Sequence, residues 1–263
     1  MEVVRPEYLP DPALDRAAME ALQRAIADDA RFEDDGRIDP AELTIDEPLE
    51  LPDGTVSVSP ATTAPIVVGI DQAFAEERAV SAAIAIQDGR VVDWSVGREP
   101  LQLPYIPGLL AFREAGAIVD ALEGLSVEPT LLVLDGSGRL HFRQAGIATH
   151  VGVVFDVPAI GVAKSLLCGR PARSLAEPLP AGTRVPILAD DSVDADLDTV
   201  IGHAYQSRQF SYPERRHVNP LFVSPGHRIS AETTVEAVGA LSAGYKLPEP
   251  TRLADRAVDV CKD

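Results

Sequence analysis

Residues 65–97, PIVVGIDQAFAEERAVSAAIAIQDGRVVDWSVG, carry the pattern that decides the fold. They contain three short apolar runs, and Asp88-Gly89 separates the second from the third. An Asp-Gly pair between two such runs favours a tight two-residue hairpin. The sequence therefore predicts three strands here, the last two joined as an antiparallel hairpin.

The rest of the chain alternates between helix-like and strand-like segments. Helices are predicted over 109–125, 143–156, 231–243 with Ser230 as its cap, and 250–260. Strands are predicted at 129–136 (PTLLVLDG), 158–164 (PAIGVAK), 185–188, 199–206 and 218–224. Strands followed by alternating helix and strand indicate an α/β fold, in which helices cover a mixed sheet.

The first 60 residues have a different character. Residues 1–30 have helix-like apolar spacing at Leu14, Met19, Leu22 and Ile26. Residues 31–60 are acidic, rich in turn residues and without a clear period. We therefore predict an N-terminal helix and an exposed acidic connector over 1–60, followed by a folded domain over 61–263.

Composition limits the class of protein. The chain has 263 residues, 46% of them hydrophobic, and no apolar run approaches the roughly 18 residues that a membrane-spanning helix needs. The N-terminus lacks a basic segment followed by an apolar one, so a cytoplasmic location is expected. Cys168 and Cys261 are far apart in no metal-binding spacing, which predicts free thiols.

The charge balance is unusual. The formal net charge is −18, and only three of the 23 basic residues are lysines, namely Lys164, Lys246 and Lys262. Self-repulsion of this size is tolerable where salt reduces the screening length to roughly 3 Å, as at 1 M. We interpret the composition as adaptation to a salt-rich cytoplasm. Acidity by itself argues against nucleic-acid binding, which normally needs a basic surface.

Three acidic residues lie at positions that packing does not explain. Asp71 ends the run IVVGID, Asp135 ends LLVLD, and Glu114 lies on the helix predicted at 109–125. A buried carboxylate must be paired, hydrogen-bonded or bound to metal. If the two strands are neighbours, Asp71 and Asp135 meet, and a Mg²⁺ ion between them could support hydrolysis of a phosphodiester. The alternative is that strand-end aspartates only cap turns, as Asp135 before Gly136 could.

Six segments occur in an order that resembles the endonuclease V family of inosine-directed DNA repair nucleases: GIDQAF, LPYIPGLLAFRE, VLDGSGRLH, GIATHVGVVFDVPAIGVAKSLLCG, NPLFVSPGHRIS and GYKLPEPTRLAD. The resemblance covers about residues 60–256 and implies a ribonuclease H-like fold, a five-stranded mixed sheet flanked by helices, with 61–263 as the catalytic domain. It also implies Mg²⁺-dependent hydrolysis, with Mn²⁺ as a substitute, one nucleotide 3′ of deoxyinosine, leaving a 3′-hydroxyl and a 5′-phosphate.

The same resemblance assigns catalytic roles. Asp71, Glu114 and Asp135 match the family's metal-binding carboxylates, and His227 in PGHRIS matches a histidine placed at the metal. The alternative for His227 is a surface histidine at a helix start. Lys164 is predicted to position a water or neutralise a phosphate, since a compact ammonium fits where a planar guanidinium does not. Its alternative is a solvated surface lysine.

Lesion recognition is assigned to the glycine-rich turn DGSGRLH. Hypoxanthine carries a carbonyl where adenine carries an amine, so backbone N–H groups near Gly136 and Gly138 can accept one base and reject the other. His141 would help to close this pocket, and Gly146 would leave room beside it. The glycines could instead serve only a tight strand-to-helix turn.

Two residues depart from the family pattern in this region. Ser137 stands where the family usually has His, Asn or Gln, and Phe142 stands where a proline often follows the pocket histidine. Neither residue is a catalytic group. The departures therefore put the base preference and the pocket shape in doubt.

The segment PYIPG, from Pro104 through Tyr105, Ile106 and Pro107 to Gly108, is predicted to contact the DNA around the lesion. A rigid aromatic between two prolines can stack into the gap that a flipped base leaves. The alternative is that Tyr105 packs under the loop as part of the core.

The partner predicted by the resemblance is DNA that contains deoxyinosine, bound by a monomer. The arginines inside the motif blocks, at 113, 139, 143, 228 and 252, are predicted to form a basic groove on the acidic body. Two other functions remain open from the sequence: an endoribonuclease that cleaves inosine-containing RNA, and a non-catalytic inosine-binding module.

Overall fold

The computed structural model describes residues 1–52, 54, 56, 62–75, 77–104 and 106–262. The helices are α1 (Arg16–Asp29), α2 (Leu110–Glu123), α3 (Ile147–Phe155), α4 (Ala231–Ala240) and α5 (Glu249–Cys261). The strands are β1 (Val67–Ala75), β2 (Arg78–Gln87), β3 (Arg90–Pro100), β4 (Leu131–Asp135), β5 (Ala159–Ala163), β6 (Arg170–Pro171), β7 (Arg184–Leu188), β8 (Val200–Tyr205) and β9 (Leu221–His227). Two short 3₁₀ helices, Pro6–Tyr8 and Pro40–Leu43, lie in the N-terminal segment.

One mixed sheet runs through the described part of the chain. Its strand order is β3-β2-β1-β4-β5-β9-β8-β7-β6. The pairs β1–β4 and β4–β5 are parallel, and the other pairs are antiparallel. The predicted α/β fold with a mixed sheet is confirmed. The predicted count of five strands is wrong, because β9 pairs with β5 and extends the sheet to nine strands.

The hairpin predicted from Asp88-Gly89 is confirmed. Gln87 pairs with Arg90 across the turn, and both turn residues have positive φ, 50° for Asp88 and 67° for Gly89. Two such residues in succession give the turn that matches the twist of the flanking strands. The hairpin tip lies at the start of β1, since Val67 pairs with Ile86.

Helices cover both faces of the sheet. Buried residues of α4 and α5 pack on one face with Val67, Leu131 and Val133, and buried residues of α2 and α3 pack on the other with Val68 and Leu132. Residues of one strand therefore alternate between two cores, as the two-residue period of a strand requires. Within the described residues, no helix is both long enough and apolar enough to cross a membrane. Cys168 and Cys261 are free thiols, as predicted.

Gly69 sets how closely α5 approaches the sheet. A Cβ atom at this position would lie 2.1 Å from the carbonyl carbon and oxygen of Pro250, in the first turn of α5. Glycine is therefore the residue that lets the helix backbone rest directly on β1. This contact fixes the position of the α5 residues that follow.

The N-terminal segment is anchored to the domain at a few points, while most residues in the described part of the connector predicted over 31–60 are exposed. Leu43 and Ile45 are buried with the α4 and α5 core, and the Ile45 N–H donates to the carbonyl of Ala240. The carboxylate of Asp34 accepts hydrogen bonds from Ser230 N and Thr233 Oγ1 at the start of α4. Charged residues between these anchors face solvent, which is why the segment has no helical period.

Candidate active site

Two aspartates lie side by side where β1 and β4 run in parallel. Ile70 pairs with Leu134, so Asp71 and Asp135 occupy the next rung of the ladder. Both belong to the α5 face of the sheet, because the side chains of Val67 and Val133, two or four residues away, pack there. The predicted meeting of these two carboxylates is therefore observed.

The surroundings of Asp71 disfavour its charged form. Its side chain is buried, and burial is the largest cause that raises the pKa of Asp71, to about 8. The negative charge of Asp135 and the nearby Asp255 carboxyl also contribute to this value, while the charge of Lys164 and the Gln72 N–H, which donates to Asp71 Oδ1 over 2.7 Å, oppose them. The protein therefore concentrates acidic groups at a place where burial disfavours their charged forms.

Glu114 approaches the same place from α2. Its side chain is buried, and burial raises the pKa of Glu114 to about 7. Asp135 is close enough to add to this shift, whereas Arg113, whose Nη1 lies 3.8 Å from Glu114 Oε1, opposes it. The third predicted carboxylate thus lies within electrostatic range of Asp135.

Lys164 immediately follows β5 and supplies the positive charge of the site. Its Nζ donates to Asp135 Oδ2 over 2.8 Å, and about half of its side chain is exposed. Burial alone would lower the pKa of Lys164, but the hydrogen bond to Asp135 and the charges of Asp71 and Asp255 raise it overall. The ammonium therefore stays charged beside the carboxylates and remains accessible from solvent.

Asp255 is the site residue that sequence reasoning missed. It lies on α5, six residues after the start of the helix that rests on Gly69, and its carboxyl is near enough to Asp71 to raise the pKa of that residue. The signal was present in the sequence: Asp255 ends the segment GYKLPEPTRLAD, next to positions that are apolar and buried. The sequence does not show that α5 packs on β1, and only this packing brings the segment close to Asp71.

His227 is not brought to the carboxylates. It pairs with Ala159 at the start of β5, whereas Asp135 pairs with Val162 near its end, about 10 Å further along the strand. Its Nε2 lies 3.1 Å from Asp156 Oδ1, and its Nδ1 accepts from the Arg31 N–H. The histidine therefore faces the α3 layer, on the opposite side of the sheet from Asp71.

A cavity of about 180 Å³ is lined by Ser137, which follows Asp135 by two residues, and by Ala163 and Ser165 on either side of Lys164. Its lining includes five of the predicted lesion-binding residues, Pro107, Gly108, Ser137, His141 and Gly146. The volume corresponds to space on the order of six water molecules, which is more than a structural water site needs. The structure thus places one wall of the cavity at the PYIPG turn and another at the glycine turn after β4.

His141 closes this cavity as a neutral ring. Its Nδ1 accepts from the Arg143 N–H, so its Nε2 carries the proton and donates to the Gly108 carbonyl over 3.1 Å. Burial, with the charge of Arg143, lowers the pKa of His141 to about 4. Both ring nitrogens are therefore engaged within the protein, and the ring contributes a fixed surface.

The glycine turn uses most of its own N–H groups. Gly136 N donates to the Val162 carbonyl, and Gly138 N donates to Ser224 Oγ. A Cβ at Gly138 would lie 2.3 Å from the Pro225 carbonyl oxygen, so this glycine serves close packing against β9. Between them, the Ser137 N–H has no acceptor among the described residues, and Ser137 lines the cavity.

The family model for endonuclease V matches residues 53–256. The endonuclease V of Halobacterium salinarum is 59% identical over 261 residues, which cover 97% of this chain and 98% of that protein. The chain belongs to the endonuclease V family.

Solved structures of endonuclease V proteins share the fold. The crystal structure of the Streptomyces avermitilis protein superposes with a TM-score of 0.70 at 28% identity, covering 99% of this chain and 97% of that one. The Ciona intestinalis endonuclease V in complex with inosine-containing DNA superposes with a TM-score of 0.66 and covers 93% and 96% of the two chains. At 23% identity, the latter comparison shows the fold alone.

In this endonuclease V family chain, α1 also contributes to the cavity. Gln23 is 1% exposed and lines it. Its Nε2 donates to the carbonyls of Gly108 and Ala145 over 2.9 and 3.4 Å, and its Oε1 accepts from Arg143 Nε over 2.8 Å. One amide therefore links the turns that begin α2 and α3, which lie on two sides of the cavity.

The PYIPG segment is only partly described. Pro104 and Pro107 are exposed, whereas Ile106 is half-buried against Met19 and Phe112. Tyr105 lies outside the described residues. The turn therefore rests on α1 through Ile106, and the wedge role of Tyr105 stays a prediction.

The five motif arginines do not form the predicted basic groove. Each is held within the protein: Arg113 at Glu114, Arg139 by Gln144, Arg143 by Gln23, Arg228 by Asp156 and Arg252 by Glu249. Four of them have side-chain exposures of only 10–18%. That prediction is wrong, because these guanidinium groups stabilise the fold and are not free for phosphates.

Proposed function

We propose that this endonuclease V family protein is a metal-dependent DNA endonuclease that hydrolyses the phosphodiester one nucleotide 3′ of deoxyinosine, leaving a 3′-hydroxyl and a 5′-phosphate. The supporting observation is that the carboxylate cluster and the cavity share the same chain segments. Ser137 follows Asp135 by two residues, and the residues on either side of Lys164 line the cavity. A base held in the cavity therefore keeps its own strand beside the carboxylates.

The donor set fits a hard divalent cation, Mg²⁺ or Mn²⁺. Asp71, Glu114 and Asp135 would hold it, with Asp255 in place of His227 as a further oxygen ligand. Burial, and to a lesser extent the charge of Asp135, raises the pKa values of Asp71 and Glu114, and a bound cation would favour their charged forms. Such an ion, when bound, polarises the phosphoryl oxygens and activates water.

The carboxylates are not arranged as a preformed metal-coordination site. In the described part of the chain, no three His, Cys, Asp or Glu side chains converge closely enough to hold a metal ion. Instead, Asp135 is paired with Lys164, and the Asp255 carboxyl lies near that of Asp71. Cation binding therefore requires both contacts to rearrange, which would release the Lys164 ammonium for the scissile phosphate or its attacking water.

Base selection rests on the backbone of Ser137. Its N–H is the donor of the glycine turn that remains available, and it would donate a hydrogen bond to the carbonyl oxygen of hypoxanthine and oppose the amine of adenine. A main-chain donor is the same whatever side chain position 137 carries. The departure from the family pattern at Ser137 therefore leaves the proposed hydrogen bond in place, while Phe142 can still alter the shape of the cavity wall.

Two further parts of the proposal come from the family resemblance. Tyr105 would stack into the gap that the flipped base leaves. The sheet portion β3-β2-β1-β4-β5, antiparallel in its first three strands and parallel in its last three, would be the ribonuclease H-like unit.

The test is nicking of a single-inosine DNA strand in Mg²⁺, with a matched adenine strand and a matched inosine RNA strand. Asp71→Asn keeps the size of the side chain but removes the charge, and should slow nicking at least about 100-fold. Asp93→Asn is the control, because Asp93 is equally buried at 6% exposure and only caps the loop at Ser126. Equal nicking by Asp71→Asn and wild type would reject the catalytic assignment, and cleavage of the RNA strand alone would reject the DNA substrate.

A further inference from the structure

The loop between β8 and β9, residues 206–220, leaves the sheet at the active-site edge. Its ends are paired as Tyr205 with Leu221, and the next residue, Phe222, pairs with Ala163. Ala163 directly precedes Lys164, so the base of the loop lies beside the proposed catalytic lysine. The loop therefore flanks the active site on the side of β5 and β9.

This loop carries cations that the fold does not use. Arg215 and Arg216 are exposed, and Arg208 is half-buried. Across the described residues, none of these three guanidinium groups enters an ion pair or donates a side-chain hydrogen bond. The five motif arginines are engaged, whereas these three are grouped in one loop of a chain of net charge −18, with only Glu214 as an acidic residue within the loop.

Aromatic side chains are interleaved with these arginines. The guanidinium carbons of Arg208 and Arg216 lie 5.5 and 4.8 Å from the centre of the Phe210 ring, and that of Arg215 lies 5.8 Å from the Tyr212 ring. Tyr212 is 68% exposed. Arginines stacked on aromatic rings next to an exposed aromatic face match the groups that bind phosphates and stack on bases of a single strand.

Two amides hold the loop in a defined shape. Gln206 Nε2 donates to the carbonyls of Arg208 and Val218 over 2.7 and 2.8 Å. Gln209 donates to the carbonyls of Leu179 and Val218 and accepts from the N–H groups of Phe210 and Val218. These bonds tie both arms of the loop together at Val218, so its arginines are presented on an ordered backbone.

We propose that loop 206–220 is the DNA-binding surface of this protein, where Arg208, Arg215 and Arg216 contact phosphates of the strand that flanks the cut and Tyr212 stacks on one of its bases. This inference rests on the proposed function, since the strand is the one that the active site cleaves. It also explains how an acidic protein binds a polyanion: the attraction is confined to one loop beside the carboxylates.

The test compares salt dependence of DNA binding. Binding of fluorescent single-stranded DNA, with inosine or adenine at one position, is measured in EDTA over a range of KCl concentrations. The triple variant Arg208→Gln, Arg215→Gln, Arg216→Gln should bind both strands more weakly by the same factor, and its log–log salt slope should be smaller by about 2, at roughly 0.7 per phosphate contact on a single strand. Arg90→Gln is the control, because Arg90 is exposed at the hairpin tip on the opposite edge of the sheet.

An unchanged affinity and salt slope in the triple variant would overturn the inference, as would a loss equal to that of Arg90→Gln. A triple variant that loses inosine preference but keeps the slope would also overturn it, because phosphate contacts carry no base information. Wild-type nicking of the inosine strand in Mg²⁺ is measured separately. If wild type binds with the expected slope difference but does not nick, the proposed function fails and the binding surface stands.

Discussion

Gly69→Ala tests how α5 is held against the sheet and how Asp255 reaches the site. The new Cβ would lie 2.1 Å from two backbone atoms of Pro250, whereas ordinary contacts are 3.4–4 Å, so the start of α5 must move by more than 1 Å. Neither backbone can rotate away from the clash as a side chain would. Overpacking of this kind destabilises by about 3 kcal/mol. For a chain of this size, that corresponds to a fall in Tm of roughly 6–12 °C.

The assay is thermal unfolding by circular dichroism in molar KCl, followed by nicking of inosine DNA well below the Tm. Nicking should fall as well, because α5 carries Asp255. Gly116→Ala is the matched control: a Cβ there meets only the flexible Glu99 side chain, at 3.3 Å, and alanine favours the helix by about 0.5–1 kcal/mol. A Gly69→Ala protein that melts within about 2 °C of wild type would refute the close-approach argument.

Two further predictions concern buried polar groups. Gln23→Met should raise the KM for inosine DNA about tenfold while kcat changes little, because it removes the amide that links two cavity walls. Gln87→Met is the control, because Gln87 is 4% exposed and its amide donates to the Ala64 carbonyl at the end of β2, away from the cavity. Its KM should be unchanged, and equal KM values for both variants would contradict the role of Gln23. Glu249→Gln should lower the unfolding free energy by about 3–5 kcal/mol in urea titration, since it leaves Arg252 without its buried partner. The exposed pair at Glu236 provides the comparison, where Glu236→Gln should cost less than about 1 kcal/mol, and similar losses for the two variants would disprove the argument.

Much of the fold was predictable because its signals are local. The Asp88-Gly89 hairpin, the Ser230 cap of α4 and the apolar runs of β1 and β4 each depend on a few neighbouring residues. The width of the sheet was not predictable, because β9 joins β5 across more than fifty residues of intervening chain. A strand as short as β6, with two residues, also has no detectable period.

The active site shows the same difference between local and long-range signals. Asp71 and Asp135 could be predicted together because carboxylates at the ends of parallel neighbouring strands must meet. Asp255 could not, since its position depends on how α5 packs across β1, through the close approach at Gly69 and through the buried residues of the helix. Gln23 was missed because a polar residue on an amphipathic helix normally faces solvent. Only the folded structure shows that its buried amide donates to the Gly108 carbonyl.

The packed N-terminal segment changes where the functional unit begins. Residues before 53 lie outside the span that the family model matches, yet they reach the cavity through Gln23, the start of α4 through Asp34 and the buried Glu249 through the Leu49 N–H. A fragment trimmed to residues 53–256 would expose the apolar surface under Leu43 and Ile45 and lose one side of the cavity. For crystallisation with DNA or for engineering, the shortest useful chain therefore starts no later than α1.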